Sequence, residues 1–180
     1  MMRLAIPELS AVDPAAKPLL DAVEQQLGTV PNLFRLLASS PAALEGSLAL
    51  SQALNKTLDS KTRERIALVV AEVNGCDYCL SAHSYVAANV AHLDEAEISA
   101  ARSGRSADPR AGAAVALARA VAEKRGHVSS SDIAATRLAG FTDAEIIDIV
   151  ANVALNVLTN FVNIVAQTDI DFPVVRAKAA

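Results

Sequence analysis

The sequence predicts an all-α protein, and three of its features lead to that prediction. Its apolar content is 52%, yet aromatic residues make up only 3%, so alanine, valine and leucine carry the hydrophobicity. Alanine and leucine are strong helix formers. Helix start and stop signals follow one another along the chain, whereas the alternation typical of strands is nearly absent. We therefore expect a compact bundle of about eight or nine helices in a single domain over residues 1–180.

The first half of the chain is predicted to hold five helices. Caps followed by proline mark helix starts, and an Asn-Gly pair marks a stop. The expected elements are, in order, a helix from Asp13-Pro14 to near Gly28, a turn at Val30-Pro31-Asn32, a short helix over Leu33 to Ala38, a helix from Ser40-Pro41 to about Thr57, a helix from Asp59 or Ser60 to Asn74-Gly75, and a helix from Cys76 to about Val90.

The second half is predicted to hold four more helices, two of them opened by capping-box patterns. The expected elements are a short helix from Asp94 to Gly104, a helix from Asp108-Pro109 to near Gly126, a short helix from Ser129 to Ala139, and a long apolar helix from Thr142 to about Asp169. Beyond Pro173 we expect a frayed tail.

Composition and charge exclude several classes of function. The net charge is −4, no run of basic residues occurs and aromatics are scarce, so nucleic-acid binding is not expected. The N-terminus has no apolar signal segment, and two close cysteines without one indicate a reducing compartment, which we take to be the cytoplasm. The high apolar content also predicts an oligomer.

The stretch Ile146 to Ala166 is apolar and about long enough to span a membrane. It contains four asparagines and Asp148, and each polar group would be costly in lipid. We therefore predict a buried central helix and no membrane partner. The asparagines Asn152, Asn156, Asn160 and Asn163 recur on one face. They form either a hydrogen-bonded ladder that fixes helix register, which we favour, or a polar wall near an active pocket or a subunit seam.

The sequence Cys76-Asp77-Tyr78-Cys79, followed by His83, carries the chemistry. On a helix of ~100° per residue, the two cysteines and His83 fall within an arc of about 60°. A helix start stabilises a thiolate at Cys76, and His83 is one turn from Cys79 and can touch it. An attacking thiolate, a proton donor and a resolving thiol are the groups that reduction of a peroxide requires.

Helix geometry also predicts a supporting acid. If Asn74-Gly75 turns the chain so that the flanking helices pack antiparallel, Glu64 and His83 lie roughly 16 and 12 Å from the turn. A glutamate spans the difference, so Glu64 is expected to orient and charge His83. Glu72 is the alternative acid and a weaker pocket residue. Tyr78 is expected to line the pocket rather than to act as an acid.

These residues resemble the core motif of the alkylhydroperoxidase D / carboxymuconolactone decarboxylase superfamily, in its peroxidase-related branch. The motif is a glutamate, eleven residues, Cys-x-x-Cys, three residues and histidine, here Glu64 to His83. The flanks Gly28 to Phe34 and Ala139 to Asp143 are also similar. The resemblance implies an all-α fold, homotrimers or homohexamers, and reduction of hydroperoxides through a Cys76–Cys79 disulfide cycle. It implies a dithiol reductant, either a protein or lipoyl-type, and no cofactor. The best-studied type carries a second histidine where this chain has Tyr78.

Alternative functions remain open at this point. A decarboxylase or isomerase of the same superfamily would use His83 and Glu64 as acid and base without the thiols. A non-enzymatic oligomer could bind a metal or sense oxidants through Cys76 and Cys79, but zinc needs four ligands and no second cysteine pair exists. Between the sulfurs we favour Cys79 as attacker and Cys76 as resolver.

Overall fold

The computed structural model describes residues 3–178 and confirms the predicted all-α fold. Across these residues it contains nine α-helices, one short 3-10 helix at Leu9–Ala11 and no strand. The helices are α1 (Lys17–Leu27), α2 (Asn32–Leu37), α3 (Pro41–Leu54), α4 (Ser60–Asn74), α5 (Asp77–Asn89), α6 (Glu95–Arg102), α7 (Pro109–Glu123), α8 (Ser130–Leu138) and α9 (Asp143–Ala166).

α4 is the central helix of the bundle, and α5, α6, α7 and α9 all pack against it. Its middle turns carry Ile66, Leu68, Val69 and Val70, none of which is exposed. Asp59 begins the helix by accepting a hydrogen bond from the Thr62 backbone N–H at 3.0 Å. Gly75 ends it with a φ of 67°, a left-handed conformation that glycine adopts without a steric penalty.

The predicted helix starts are largely confirmed, with two corrections. α1 begins at Lys17 rather than beside Pro14. Pro18 has no N–H to donate to the carbonyl of Pro14, so it fits only within a first helical turn. The capping box predicted at Asp94 is half formed. Asp94 accepts from the Glu97 backbone N–H, but the Glu97 carboxylate contacts Arg65 on α4 at 2.7 Å instead of returning to the cap.

α9 is long and apolar enough to cross a membrane by length and composition. In the fold it packs against α4, α7 and α3, and its four asparagines are buried. The opposite side of α9 leaves large apolar side chains exposed, namely Ile147, Val150, Leu158, Phe161, Ile164 and Val165. The helix is therefore a bundle element that buries its asparagines together with Ile146, Ile149 and Val153 and leaves an apolar face open.

The segment after α9 is not frayed, contrary to the prediction. Val175 N–H donates to Ser81 Oγ at 2.9 Å, and Ala177 N–H donates to Asp77 Oδ1 at 2.8 Å. Both acceptors lie on α5, so the tail is bound along the start of that helix. The sequence offered no periodic pattern there, because the ordering comes from backbone donors meeting side-chain acceptors far away in the chain.

Candidate active site

The two cysteines lie together at the start of α5. Cys76 is the N-cap residue, and its Sγ accepts a hydrogen bond from the Cys79 backbone N–H at 3.3 Å. The side chains are free thiols, with Sγ atoms 2.7 Å apart. Cys76 and Cys79 are only 1% and 3% exposed. A slight approach would bring the sulfurs to the ~2.05 Å of a disulfide bond.

Glu64 and His83 meet across the interface between α4 and α5. Glu64 Oε2 and His83 Nδ1 are 2.9 Å apart, and the two side chains are 18% and 28% exposed. This contact between residues nineteen positions apart in the chain confirms the one predicted from the helical hairpin. It fixes the ring orientation and leaves the second ring nitrogen free for a reacting group.

The environment of His83 favours the imidazolium form. Burial of the ring opposes its charge, but the charge and hydrogen bond of Glu64 outweigh burial, and the electrostatic effect of the neighbouring thiol pair adds to them. Together these effects raise the pKa of His83 above its ordinary value. A ring whose protonated form is favoured in this way is suited to donating a proton to a reacting group.

The environment of Cys79 favours its thiolate. The Cys76 thiol donates a hydrogen bond to it and outweighs the effect of burial, and the carboxamides of Asn163 and Asn160 also lower the pKa of Cys79. Asn163 Nδ2 lies 3.4 Å from Cys79 Sγ. The same sulfur–sulfur contact, with burial and the neighbouring negative charge, raises the pKa of Cys76. The pair therefore holds its negative charge on Cys79.

The predicted direct contact between His83 and Cys79 takes a different form. In residues 3–178 neither ring nitrogen makes a hydrogen bond to a sulfur, and Nδ1 contacts Glu64 on α4. The ring and the thiol pair instead act on each other electrostatically: His83 partly opposes the rise in the pKa of Cys76, and the thiol pair helps to raise the pKa of His83.

The asparagine face of α9 serves both of the roles considered. Asn152 and Asn156 donate to backbone carbonyls one turn earlier in their own helix, at 2.8 Å each, as a structural ladder would. Asn160 accepts from Asn74 at 2.9 Å, and Asn163 reaches Cys79. The favoured ladder interpretation is thus incomplete, since the C-terminal half of the face forms a polar wall at the sulfurs.

Tyr78 lines a pocket, as predicted, and its side chain also contacts two other segments of the chain. Its hydroxyl accepts a hydrogen bond from the Leu33 backbone N–H at 3.1 Å, and its ring meets Phe172 edge-on, with centroids 6.0 Å apart. Burial raises the pKa of Tyr78, and the charge of Asp171 adds to the effect. The hydroxyl therefore stays protonated.

Glu72 does not act as the alternative acid in this arrangement. Its carboxylate binds Arg102 at 2.6 Å and accepts from the Lys178 backbone N–H at 2.7 Å. Both oxygens hold α6 and the tail in place, which leaves Glu64 as the carboxylate on His83. The sequence pattern could not separate the two glutamates, because the partners of Glu72 are thirty and more residues away.

Two pockets reach the site from different places. The histidine pocket, of about 180 Å³, is lined by Glu64 and His83 with apolar neighbours that include Phe34, Leu48 and Leu155. The cysteine pocket, of about 360 Å³, is lined by Cys76, Tyr78, Asn163, Ile164, Thr168 and Arg176 among others. Over the described ranges no three cysteine, histidine or acidic side chains cluster as a metal site would require.

Comparisons with known proteins agree with this fold. A model of the carboxymuconolactone decarboxylase family matches residues 41–124. The fold is similar to a peroxidase-related protein from Ralstonia eutropha JMP134 with an alkylhydroperoxidase AhpD core, at 26% identity and a TM-score of 0.83, covering 94% of this chain and 92% of that one. No curated protein matches the sequence.

Two further solved structures share the fold at lower identity. A peroxidase-related protein from Silicibacter sp. TM1040 is 23% identical with a TM-score of 0.81, covering 93% of this chain and 91% of that one. A cysteine-to-alanine variant of the debrominase Bmp8, in complex with 2,3,4-tribromopyrrole, is 20% identical with a TM-score of 0.77, covering 95% and 94%.

Proposed function

Because the chain belongs to the alkylhydroperoxidase D / carboxymuconolactone decarboxylase superfamily, in its peroxidase-related branch, we propose that it is a thiol-dependent hydroperoxide reductase. The observation that carries the proposal is the Cys76–Cys79 pair, 2.7 Å apart, with a carboxylate-bound histidine one turn along the same helix. The role is antioxidant, the substrates are organic hydroperoxides, and the chemistry needs no cofactor.

In the oxidative step the Cys79 thiolate attacks the terminal oxygen of the hydroperoxide. The O–O bond breaks, and its electron pair goes to the departing alkoxide, which takes a proton from His83. Cys79 is left as a sulfenic acid and the substrate as an alcohol. Glu64 acts through His83, because its negative charge favours the protonated ring and its hydrogen bond keeps the ring in place.

In the second step Cys76 resolves the sulfenic acid. Its sulfur attacks Cys79 Sγ, the S–S bond forms, and the hydroxyl group leaves as water after taking a proton. The short distance between the thiols supports this order without a rearrangement of the helix. A dithiol reductant then returns the pair to the thiol form.

The environment of each sulfur supports Cys79 as the attacker. It accepts hydrogen bonds from the Cys76 thiol and from Asn163, and both stabilise the thiolate more than the thiol. Cys76 occupies the N-cap and accepts one backbone N–H. Cys79 is also the cysteine closer in sequence to His83.

We also propose that the protein is a cytoplasmic homo-oligomer, a trimer or a hexamer. A dithiol cycle requires a compartment that keeps the thiols reduced. The apolar residues left exposed on α9, among them Ile147, Phe161 and Val165, form the kind of face that a second copy would cover.

Single-cysteine variants test the proposed reaction. We expect Cys79→Ser to abolish consumption of an alkyl hydroperoxide and to leave no sulfenic acid. We expect Cys76→Ser to allow one turnover and to accumulate a Cys79 sulfenic acid that a dimedone-type reagent traps. If both variants consume hydroperoxide at the wild-type rate, the proposal is wrong.

A second candidate function has one observation in its favour. The histidine pocket is lined by Glu64 and His83 but by neither cysteine, so the pair could act as base and acid on a small lactone in a decarboxylase or isomerase reaction. That function predicts activity on the lactone that survives in the double variant Cys76→Ser/Cys79→Ser, in which a peroxidase would lose its activity.

A further inference from the structure

Two buried carboxamides of α9 lie beside the Cys79 sulfur. Asn160 is 0% exposed and Asn163 is 2% exposed, and residues three positions apart lie on one face of a helix. Asn163 Nδ2 donates to Cys79 Sγ at 3.4 Å. Besides the Cys76 thiol, both carboxamides lower the pKa of Cys79. The face of α9 that meets this sulfur is therefore built from two amide groups.

Each of these carboxamides has one polar atom that the protein does not use. Asn160 Nδ2 and Asn163 Oδ1 are buried and make no hydrogen bond within residues 3–178. Buried polar groups in folded proteins are nearly always paired, so two such atoms beside one sulfur need an explanation. One of them is a donor and the other is an acceptor.

The orientation of the Asn160 carboxamide is set by a contact with another helix. Its Oδ1 accepts a hydrogen bond from Asn74 Nδ2 at 2.9 Å, and Asn74 is the last residue of α4. A planar carboxamide held by its oxygen cannot turn its nitrogen to a different partner without losing that bond. The unused donor of Asn160 therefore results from a specific contact between α4 and α9.

We propose that Asn160 and Asn163 bind the oxygen atom that passes from the hydroperoxide to Cys79. This inference rests on the proposed function. The terminal oxygen of a hydroperoxide carries one hydrogen and has lone pairs, so it can accept from Asn160 Nδ2 and donate to Asn163 Oδ1. As the S–O bond forms, the O–O bond breaks, its electron pair goes to the alkoxide, and the alkoxide takes a proton from His83. The transferred oxygen keeps its own hydrogen, so the same two atoms bind the Cys79 sulfenic acid.

The two carboxamides assist both halves of the oxidation. They are in place before the hydroperoxide arrives, so they orient its terminal oxygen towards the Cys79 thiolate without a rearrangement of the site. When Cys76 attacks Cys79 Sγ, the S–O bond breaks and the oxygen leaves as water. The Asn160 amide then donates to the oxygen as negative charge develops on it.

A comparison of two reagents isolates the effect on the oxygen. In Cys76→Ser, iodoacetamide and tert-butyl hydroperoxide both react with the Cys79 thiolate, but only the hydroperoxide transfers an oxygen. The ratio of the rate constant for oxidation to that for alkylation therefore cancels changes in the pKa of Cys79. We expect Asn160→Ala, added to Cys76→Ser, to lower this ratio about tenfold, the rate effect of one lost hydrogen bond. Asn163→Ala should lower it by a similar factor.

Two further variants complete the test. Asn74→Ala keeps the Asn160 carboxamide but releases its oxygen, and it should lower the ratio by about threefold. It also serves if Asn160→Ala does not fold. Thr136→Ala is the control, because it removes a buried hydroxyl of α8 that donates within its own helix at 2.9 Å, and it should leave the ratio unchanged.

The outcomes separate this inference from the proposed function. If the ratio stays unchanged in Asn160→Ala and Asn163→Ala, or in Asn74→Ala where Asn160→Ala does not fold, the unused atoms bind only water and the inference is overturned while the peroxidase stands. If Cys76→Ser is alkylated by iodoacetamide but not oxidised by the hydroperoxide, the proposed function fails and the inference fails with it.

Discussion

Replacing Glu64 by glutamine removes the charge on His83 while keeping an oxygen that can accept its hydrogen bond. The wild-type atoms are 2.9 Å apart, and the Glu64 and His83 side chains are 18% and 28% exposed. The free energy of the charge–charge interaction therefore lies between ~1 kcal/mol, the value for two unit charges in bulk water, and ~4 kcal/mol, the value near a protein surface. We take about 1.4 kcal/mol, which lowers the pKa of His83 by about one unit. The fraction of protonated ring above that pKa then falls about tenfold.

The pH range in which the Glu64–His83 interaction matters follows from the direction in which Glu64 moves the pKa of His83. Glu64 raises the pKa of His83. The stabilisation of the folded protein by this ion pair is therefore fully present below about pH 6.5 and is lost as the pH rises through the folded-state pKa of His83. Oxidation requires a Cys79 thiolate and a protonated His83, so its rate should rise and then fall with pH. In Glu64→Gln we expect the alkaline limb to move about one unit towards lower pH.

The assay follows the pH dependence of sulfenic acid formation by rapid quenching, together with the titration of His83 by NMR. The control is Glu123→Gln, which removes the same charge from an exposed pair with Arg119 and should leave both curves in place. An alkaline limb and a His83 titration that do not move in Glu64→Gln would refute the role assigned to this carboxylate.

Further predictions concern the thiolate, the core and the assembly. Asn163→Ala should raise the pKa of Cys79 by about one unit, since a hydrogen bond to a charged group contributes about 1.5–3 kcal/mol and water replaces part of it; the pH profile of alkylation by iodoacetamide measures this, and an unchanged profile contradicts it. Leu80→Ala should lower the free energy of unfolding in urea by about 2–5 kcal/mol because Leu80 is fully buried, whereas the exposed Leu138→Ala should change it by less than about 0.5 kcal/mol. Phe161→Glu should reduce the oligomer to smaller species in light scattering if the open face of α9 is a subunit contact, and an unchanged mass would exclude that face.

Local signals were sufficient to predict most of the fold. Proline after a cap residue fixed the starts of α3 and α7, and Gly75 fixed the end of α4, because each imposes a backbone conformation that few alternatives allow. The start of α1 was misplaced, since Asp13-Pro14 offers the same signal and only Pro18 decides against it. The sequence thus predicted the elements better than their exact limits.

The part of the site that lies on one helical hairpin was predictable for a similar reason. Glu64, Cys76 and His83 are linked by two regular helices and one turn, so spacing along the chain converts into distance. Asn163 comes from α9, 84 residues beyond Cys79, and no local pattern fixes how α9 rotates against α5. The sequence feature that pointed to Asn163 was the run of asparagines in an apolar helix. It indicated a buried polar face but not which residues that face contacts.

The ordered tail after α9 could not be predicted from local sequence patterns. It has no periodic pattern, yet its backbone donors are taken up by Asp77, Ser81 and Glu72. Contacts of this kind depend only on how distant segments pack together. They show that Glu72 supports α6 and the tail and is not the acid that contacts His83.

The most direct measurement of the central claim is mass spectrometry of the reduced protein after one equivalent of an alkyl hydroperoxide. We predict stoichiometric conversion of the hydroperoxide to the alcohol, loss of both thiols, and a Cys76–Cys79 disulfide in the digested protein. Thiols that stay reduced while the hydroperoxide persists would contradict the account.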